Sequence, residues 1–312
     1  MRQRFALVFN QRAGSIRPLL LERVLTHLRN AGATVEPVEA GSADEATRKV
    51  QQIARSGRAD AVIAAGGDGT IRAVAIGVAG APMPVGIIPL GTGNVMKYEI
   101  GLSSAAGDIA RTLLDGPVIA ARGGLVNGAA FFLMAGAGFD GRIVAGLDHK
   151  MKRVLGRAAY AVPVARALVG GAQRFDVEVD GTSYEASWVI VSNAAHYGGS
   201  FVLTRQTQLG ANRLIAVIVT GATRRALLAA SLALARGRIA DPAKCPKGVI
   251  VRPANRVKIR AQVPVHAEVD GDEAGFAPLD ITSGGPEVRF IATPAYVADL
   301  TNRHANHLPL AM

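Results

Sequence analysis

The residues best suited to chemistry form a short glycine-rich segment, Gly66-Gly67-Asp68-Gly69-Thr70, which follows the apolar run 61–65. Glycines let a backbone approach a ligand where a side chain would obstruct it. We expect Thr70 to cap the helix that follows, whose free N–H groups and dipole favour an anion. Because a single glycine motif fits both, the segment predicts either a phosphate-binding loop or a plain strand-to-helix turn.

Two further segments carry polar residues of the kind that phosphoryl transfer uses. Leu90-Gly91-Thr92-Gly93-Asn94 is a second glycine-rich turn, and Asp270-Gly271-Asp272 sets two carboxylates close together. A carboxylate can take the proton from an attacking hydroxyl. However, Asp-Gly is also the commonest hairpin turn, and Asp180-Gly181 lies between two strand patterns in that structural role. On the residues alone, a turn is the favoured interpretation of Asp270.

The first third of the chain alternates strands with helices, which predicts a parallel sheet covered by helices. Asn10, the first glycine segment and the second glycine segment each follow a predicted strand. Ligands of such sheets bind beyond the carboxyl ends of the strands, so we expect the three to line one crevice. The predicted strands are 4–10, 34–39, 61–65 and 84–89, and the predicted helices are 19–32, 44–55 and 71–76.

From about residue 123 the pattern changes to short β-branched or alternating runs, which predicts an antiparallel sandwich or barrel. Helices are expected near 148–169, 222–237 and 295–303. The first of these interleaves basic and apolar residues, so it fits an anionic membrane surface and an ordinary amphipathic helix alike. The predicted strands are 124–127, 129–136, 175–179, 183–192, 213–220, 248–252, 256–261 and 266–270.

Composition narrows the class of partner. The chain has 312 residues, 49% of them hydrophobic, with a net charge of +11 that favours anionic partners. Its arginines are spread along the sequence and its aromatic content is 5%, so we expect no nucleic-acid partner. The one cysteine, Cys245, fits a reducing compartment. No apolar run is long enough to cross a bilayer.

The three motifs, in this order, resemble the diacylglycerol kinase catalytic-domain family, which includes bacterial lipid kinases and the sphingosine and ceramide kinases. Further matches at 137–140, 155–160, 192–193 and 198–199 extend the resemblance over nearly the whole chain. It implies an α/β plus β architecture, in which an N-terminal Rossmann-like three-layer α/β nucleotide-binding domain precedes a C-terminal antiparallel β-sandwich domain. The expected boundaries are 1–122 for the first domain and 123–290 for the lipid-substrate sandwich, and about 291–312 is a candidate to return to the first domain.

The resemblance also implies a role for each motif. It makes ATP the phosphoryl donor, Mg²⁺ the metal and a membrane lipid hydroxyl the acceptor. Asp270 is implied as the catalytic base and Asp272 as its assistant, while Asp68 is expected either to order its loop or to hold Mg²⁺ through water. The residues implied to hold the nucleotide phosphates are Asn10, Gly66, Gly67, Asp68, Gly69, Thr70, Gly91, Thr92 and Asn94.

Several positions depart from the family pattern. Asp272 stands where glutamate is usual, Arg72 and Ala73 where asparagine and glutamate are usual, and Val95 where aspartate is common. Typical bacterial members also carry an acidic Asp-Gly-x-Leu segment that helps to hold a structural Mg²⁺. The matching segment here, 209–214, has no carboxylate, so we expect that metal site to be absent.

The expected function is ATP-dependent transfer of the γ-phosphoryl group to a diacylglycerol-like lipid. We expect a cytoplasmic protein, and attachment to the anionic inner face of the membrane is left open. A sphingoid base, a ceramide or another alcohol is an alternative acceptor, because the sequence does not separate these. A non-catalytic lipid-binding or nucleotide-binding protein of the same fold is another alternative. Binding of duplex DNA is a further one, which only the net charge suggests. The sequence does not determine the oligomeric state.

Overall fold

The computed structural model describes residues 1–9, 17–148, 151, 156–210 and 213–307, with the backbone alone for 157 and 303–307. Three predictions fall wholly or partly outside the described residues: Asn10, residues 149–150 and 152–155 of the expected basic helix, and residues 211–212 of the segment without carboxylates. No helix in the described part is long and apolar enough to cross a membrane.

The N-terminal part is a six-stranded sheet with helices, as the alternating pattern predicts. Its elements are β1 (Arg4–Phe9), α1 (Pro18–Asn30), β2 (Thr34–Glu39), α2 (Ala43–Ser56), β3 (Ala61–Gly66), α3 (Asp68–Val78), β4 (Val85–Pro89), α4 (Val95–Glu99), α5 (Ala106–Asp115) and β5 (Val118–Arg122), joined near the end of the chain by β20 (Glu287–Ile291). The strand order is β2-β1-β3-β4-β20-β5. Strands β1 to β4 pair in parallel, and only β5 runs antiparallel to its neighbour β20.

The direction in which the chain crosses this sheet decides where a ligand can bind. The step from β1 to β2 runs towards one edge, and the steps from β2 to β3 and on to β4 run towards the other. Right-handed crossovers then put α1 on one face and α2 with α3 on the opposite face. In agreement, α2 packs against α3 and α1 packs against α5. The order reverses between β1 and β3, so the carboxyl end of β3 lies at the switch point where open α/β sheets bind ligands.

The C-terminal part is a sandwich of two antiparallel six-stranded sheets. Its elements are β6 (Gly124–Val126), β7 (Ala129–Phe131), β8 (Met134–Gly138), α6 (Phe139–Ala145), a 3₁₀ helix (Gly156–Tyr160), α7 (Ala161–Val169), β9 (Phe175–Val179), β10 (Thr182–Ala186), β11 (Trp188–Ser192), β12 (His196–Tyr197), β13 (Phe201–Val202), β14 (Leu214–Val219), α8 (Arg224–Ala235), β15 (Val249–Ala254), β16 (Arg256–Arg260), β17 (His266–Val269), β18 (Asp272–Phe276) and β19 (Leu279–Thr282). The orders are β10-β9-β16-β19-β6-β7 and β15-β14-β11-β8-β17-β18. A final helix, α9 (Pro294–His307), follows β20.

The second sheet of the sandwich is covered on both faces. Along β11, Val189 and Val191 belong to the core between the two sheets, whereas Trp188 and Ile190 pack with the core of the N-terminal part. Helices α6 and α8 cover that outer face with buried residues such as Phe139. This arrangement explains why β11 is apolar at every position but its last, as in a strand buried on both faces.

The sandwich corrects two predicted strands. The run 183–192 is two strands, because the chain breaks at Ser187 and moves from one sheet to the other. The break is fixed by Ser187, whose N–H donates to Val219 O at 2.9 Å and whose hydroxyl donates to Gly221 O at 2.7 Å. The run 129–136 likewise divides into β7 and β8. Six strands of the described residues lie in segments for which the sequence pattern predicts none, namely β5, β12, β13, β18, β19 and β20.

Candidate active site

One cavity of about 780 Å³ connects the carboxyl ends of the parallel strands with the outer face of the sandwich. Three groups of residues line it. The first is the pair of glycine loops after β3 and β4, and the second is the hairpin between β17 and β18. The third is an apolar chamber formed by α6, α7, α8 and β11 to β13. Residues 67–70, 91–93 and 270–272 therefore line one space. The predicted phosphate-binding residues Gly66 and Asn94 are not part of its lining, and Asn10 lies outside the described residues.

The first glycine loop is packed too tightly for side chains. A Cβ on Gly66 would lie 2.4 Å from Thr70 Oγ1, and one on Gly91 would lie 2.5 Å from Gly67 Cα. The two glycine loops thus touch through their backbones, and Gly91 N–H donates to Gly66 O at 3.3 Å. The expectation for Thr70 is wrong, because helix α3 begins at Asp68 with Gly67 as its N-cap. Thr70 instead lies in the first turn, against Gly66.

Asp68 joins the two glycine loops. Its carboxylate accepts hydrogen bonds from Val95 N at 3.1 Å and Met96 N at 3.2 Å, at the start of α4. A negative charge is favoured there, since the first N–H groups of a helix lack partners within the helix. These contacts support the loop-ordering role of Asp68, and its role in holding Mg²⁺ through water stays a prediction. The contact with Val95 also explains how valine can stand at position 95, where aspartate is common in the family. Only the backbone N–H of Val95 takes part in it.

The second loop presents polar atoms that lack protein partners. Asn94 has a left-handed backbone, with φ of 49°, and its Nδ2 donates to Gly91 O at 2.5 Å. Asn94 Oδ1 and Thr92 Oγ1 are buried with no hydrogen-bond partner in the described part of the chain. Buried polar atoms normally have partners, so these two fit a polar ligand such as a nucleotide phosphate and its water.

The residues present fit Mg²⁺ only as a companion of the nucleotide. Among the described residues, no group of three His, Cys, Asp or Glu side chains is placed to hold a metal ion. Both carboxylate oxygens of Asp68 already accept backbone N–H groups. Phosphate oxygens and water, which Mg²⁺ commonly uses in kinases, would therefore supply most of its ligands.

Asp270 is both a turn residue and a buried carboxylate. It occupies the hairpin between β17 and β18 with φ of 51°, next to Gly271 with φ of 82°. Only 4% of it is exposed, and its carboxylate accepts from the N–H groups of residues 132, 133 and 134 at 3.1, 2.8 and 3.0 Å. Burial raises the pKa of Asp270, opposed by the Arg72 guanidinium and these N–H groups. Its carboxyl lies where the glycine loops meet the apolar chamber.

Arg72 reaches from helix α3 to the hairpin between β17 and β18. Its guanidinium donates to Val269 O at 2.8 Å and to Asp272 Oδ2 at 3.0 Å. Asp272 Oδ2 also lies 2.9 Å from where a Cβ on Gly69 would stand. Two departures from the family pattern, at positions 72 and 272, are therefore in contact with each other. Arginine with the shorter aspartate makes a pair that bridges the two halves of the site.

The sequence analysis missed two further buried carboxylates in this cavity, Asp140 and Glu268. Asp140 follows Gly138-Phe139 at the start of α6, and Glu268 lies on β17 two residues before Asp270. The available signal was a charged residue in otherwise apolar strand and turn patterns, together with the match at 137–140. It could not show that the two side chains meet, because they belong to separate elements.

Both parts of the chain match known domain families. Residues 4–126 match the diacylglycerol kinase catalytic domain. Residues 134–292, about half of the chain, match the YegS C-terminal NAD kinase beta sandwich-like domain. The division between the two matches falls between β6 and β8.

Comparison with individual proteins agrees with the domain matches. The diacylglycerol kinase of Bacillus subtilis (strain 168) is 27% identical over 288 residues, covering 88% of this chain and 92% of that protein. The lipid kinase YegS of Escherichia coli (strain K12) is 34% identical over 149 residues, 46% of this chain and 50% of that protein. An uncharacterized Synechocystis protein is 30% identical over 202 residues, 61% of this chain and 47% of that protein. The chain thus spans about half the length of the last two relatives.

The fold is shared with solved structures. A diacylglycerol kinase of Bacillus anthracis (strain Sterne) superposes with a TM-score of 0.70 at 19% identity, covering 95% of this chain and 98% of that one. The α/β plus β-sandwich prediction is therefore confirmed.

Proposed function

This chain belongs to the diacylglycerol kinase catalytic-domain family with a YegS-type C-terminal sandwich, and on that premise we propose that it is an ATP-dependent lipid kinase. One observation carries the proposal: a single cavity joins the glycine loops, the Asp270 carboxyl and an apolar chamber. A kinase for lipids needs these three parts side by side, namely a cradle for phosphates, a base and a space for acyl chains. Diacylglycerol-like lipids are the first acceptors to test, because relatives that cover the chain carry that name.

The donor side is built for phosphates. The backbone N–H groups of the touching glycine loops, with Thr92 and Asn94, would bind the β- and γ-phosphates of ATP. Mg²⁺, when bound with the nucleotide, would supply positive charge that offsets the negative charge of the transferring phosphoryl group. Asp68 would act indirectly: its carboxylate accepts hydrogen bonds from Val95 N and Met96 N and so holds the second glycine loop in place.

The acceptor side would act through Asp270. The oxygen of the lipid hydroxyl bonds to the γ-phosphorus, the bond from that phosphorus to the β,γ-bridging oxygen breaks, and ADP leaves. The proton of the hydroxyl passes to the Asp270 carboxylate. Burial raises the pKa of this group and so its proton affinity, while Arg72 and three backbone N–H groups favour the ionised form that can accept a proton.

The test is turnover of labelled ATP with Asp270→Asn on a panel of diacylglycerol, ceramide and sphingoid base. We expect at least about 100-fold lower transfer to every lipid, because general-base catalysis contributes about 10²–10⁴-fold. Nucleotide binding should persist, since Asp270 does not belong to the phosphate cradle. Asp180→Asn is the matched control, because Asp180 occupies the other Asp-Gly turn and accepts from Asn255 N and Arg256 N.

Wild-type turnover in the Asp270→Asn protein would contradict the proposal for the base. If the unaltered protein binds ATP but transfers phosphate to none of the lipids, the non-catalytic alternative replaces the kinase.

The lipid must reach the chamber from a membrane, and we propose that α8 and its neighbours touch the bilayer. Helix α8 lines the chamber with Leu234 and Ala235 and turns Leu228 and Leu232 outwards, 46% and 43% exposed. Phe201, which also lines the chamber, is 40% exposed. The exposed arginines near this helix, 224, 225, 236 and 238, would suit an anionic lipid surface.

A further inference from the structure

Asp140 and Glu268 lie side by side although they come from different elements. Glu268 on β17 is paired directly with Gly136 on β8. Asp140 Oδ2 stands 2.5 Å from the point where a Cβ on Gly136 would be. Side chains of directly paired residues share one face of the sheet at about 4.5–5.5 Å between Cβ atoms, so the Asp140 carboxyl occupies the space beside Glu268.

Each of these carboxyls uses one oxygen for the protein. Asp140 Oδ1 accepts from Gly141 N, and Glu268 Oε2 accepts from Gly271 N, both at 2.8 Å. The remaining oxygens, Asp140 Oδ2 and Glu268 Oε1, are buried and have no hydrogen-bond partner among the described residues. Asp140 is 0% exposed and Glu268 2% exposed, yet both line the cavity. A buried carboxyl oxygen without a partner is costly, so these atoms need a ligand.

The charge of the lining indicates what kind of ligand fits. Within the described part of the chain, five carboxylates line the cavity and no Lys, Arg or His side chain does; the five are Asp68, Asp140, Glu268, Asp270 and Asp272. Burial, and then the charge of Asp140, raise the pKa of Glu268 well above its usual range, and burial raises that of Asp140 to about 7. Both shifts reflect the cost of burying two neighbouring carboxylates without a partner, and a hydrogen-bond donor or an ammonium group from a ligand would offset that cost.

Aromatic rings flank the pair. Trp188 lies 5.1 Å from the Phe139 ring and 6.5 Å from the Tyr197 ring, measured between centroids. Its indole N–H faces the Asp140 carboxyl but lies outside hydrogen-bonding geometry. Trp188 and Tyr197 both line the chamber, and such rings attract an ammonium group through their faces.

We propose that Asp140 and Glu268 bind a hydrogen-bond-donating group of the acceptor lipid, an amine or a second hydroxyl close to the hydroxyl that is phosphorylated. The inference rests on the proposed kinase function and narrows its acceptor class. Amino alcohols and diols offer such a donor. A diacylglycerol offers only ester carbonyls besides its reacting hydroxyl, so it brings no further donor to offset the burial of the two carboxylates. Asp140 and Glu268 would thereby determine which alcohols bind with their hydroxyl at Asp270, the proposed base.

The experiment compares kcat/KM for dioctanoylglycerol, monooctanoylglycerol and a short-chain sphingoid base. We expect the unaltered protein to favour at least one of the two donor-bearing acceptors about tenfold or more, because a hydrogen bond to a charged group contributes about 1.5–3 kcal/mol. In Asp140→Asn and Glu268→Gln this preference should shrink to within about threefold. Glu99→Gln is the matched control, since Glu99 is a carboxylate that is 1% exposed and whose oxygens accept from His196 N and Leu209 N. It should keep the preference.

A binding measurement separates this inference from the kinase proposal. Trp188 is the only tryptophan, so its fluorescence reports occupation of the chamber without any turnover. We expect the favoured donor-bearing lipid to change the emission at lower concentration than dioctanoylglycerol does, and the two variants to lose this difference. Equal binding and equal turnover of all three lipids, or an unchanged preference in both variants, would overturn the inference and leave the kinase proposal intact. Binding with the expected preference but no phosphate transfer would support the inference and reject the kinase.

Discussion

Two Asp-Gly turns of this chain show how surroundings change the role of one residue type. Asp180 and Asp270 both take a left-handed backbone, with φ of 46° and 51°, and both accept backbone N–H groups. Asp180 is exposed and ties its turn to the connection between β15 and β16. Asp270 is buried against residues 132–134, faces Arg72 and borders the cavity. The turn and the base are therefore compatible interpretations of Asp270, because turn geometry fixes its backbone and leaves the carboxyl available to the site.

At the residue scale, the Asp140 carboxyl should weaken the fold at neutral and higher pH. Its pKa rises from 3.8 to about 7 on folding, chiefly because burial disfavours the charged form. A raised pKa contributes stability that is full below the unfolded value and is lost as pH rises through the folded value. Asp140→Asn should therefore melt about 2 °C or more above the unaltered protein at pH 8. The difference should nearly vanish near pH 4, as measured by thermal unfolding.

The control for this effect is Asp180→Asn, whose carboxyl is exposed and whose melting difference should show no such growth with pH. The melting temperature of Asp140→Asn is compared with that of the unaltered protein at both pH values. A smaller difference at pH 8 than at pH 4 would contradict burial of the charged carboxyl as the cause. A residue that is retained for ligand binding at a cost in stability would show such a gain when its carboxyl is removed.

At the scale of elements, helix α3 and the β17–β18 hairpin are tied by one side chain. Arg72 donates to Val269 O and Asp272 Oδ2, across 200 residues of sequence in the second contact. The hairpin carries Asp270, so this contact sets where the proposed base lies relative to the glycine loops. Arginine suits the task because its planar guanidinium can donate in two directions at once.

Arg72→Ala should lower lipid-dependent turnover about tenfold or more while changing stability little. The Arg72 and Asp272 side chains are 23% and 48% exposed, so solvent limits the direct coupling to about 1 kcal/mol or less. Misplacement of a catalytic group costs far more in rate than in stability. Asp272→Ala should lower turnover in the same way, and the double variant should be little worse than either single one.

Arg111→Ala is the control, since Arg111 forms an exposed ion pair with Asp108, 3.2 Å apart, on α5. Its turnover should match that of the unaltered protein. If the fold-loss of turnover in the double variant equals the product of the fold-losses in Arg72→Ala and Asp272→Ala, the two residues act independently.

At the scale of the whole molecule, the cavity depends on how the chain closes on itself. After the sandwich is complete, β20 returns to the first sheet and pairs with β5 along five residues. The sandwich is thus anchored at both ends of its sequence, and its outer face lies against the strand ends of the first sheet. That closure explains why the glycine loops, the Asp270 carboxyl and the apolar chamber form one space.

Membrane contact is the corresponding prediction at this scale. Replacing Leu228 and Leu232 together with glutamate should weaken binding to vesicles containing anionic lipid about tenfold. Each substitution removes the partial burial of a leucine in the bilayer, which contributes at most about 1.5–3 kcal/mol. It also places a negative charge against the anionic lipid surface. Leu19→Glu is the matched control, because Leu19 is a 65% exposed leucine on α1. Equal loss in the control, measured by vesicle flotation, would contradict the assignment of this face.

The sequence alone determined the class of fold and the identity of the motifs. Periodicity is a local property, so alternating strands and helices predicted the parallel sheet, and β-branched runs predicted the antiparallel part. The glycine spacing and the order of the three motifs were enough to indicate the family, which the domain matches support. Strands β5 and β20 escaped prediction for different reasons: β5 (VIAAR) has no alternation of polar and apolar residues, whereas β20 (EVRFI) alternates over its first four residues and that signal was missed.

Only the tertiary structure decided which side chains meet. Asp68 caps α4 through Val95 and Met96, Arg72 reaches Asp272, and Asp140 lies beside Glu268. Each of these contacts joins elements that are separate in sequence, and no local pattern encodes the distance between them. Topology brings the elements together, and burial then sets the charge and pKa of each group. The sequence therefore shows which residues are available for chemistry, and packing determines which of them share a site.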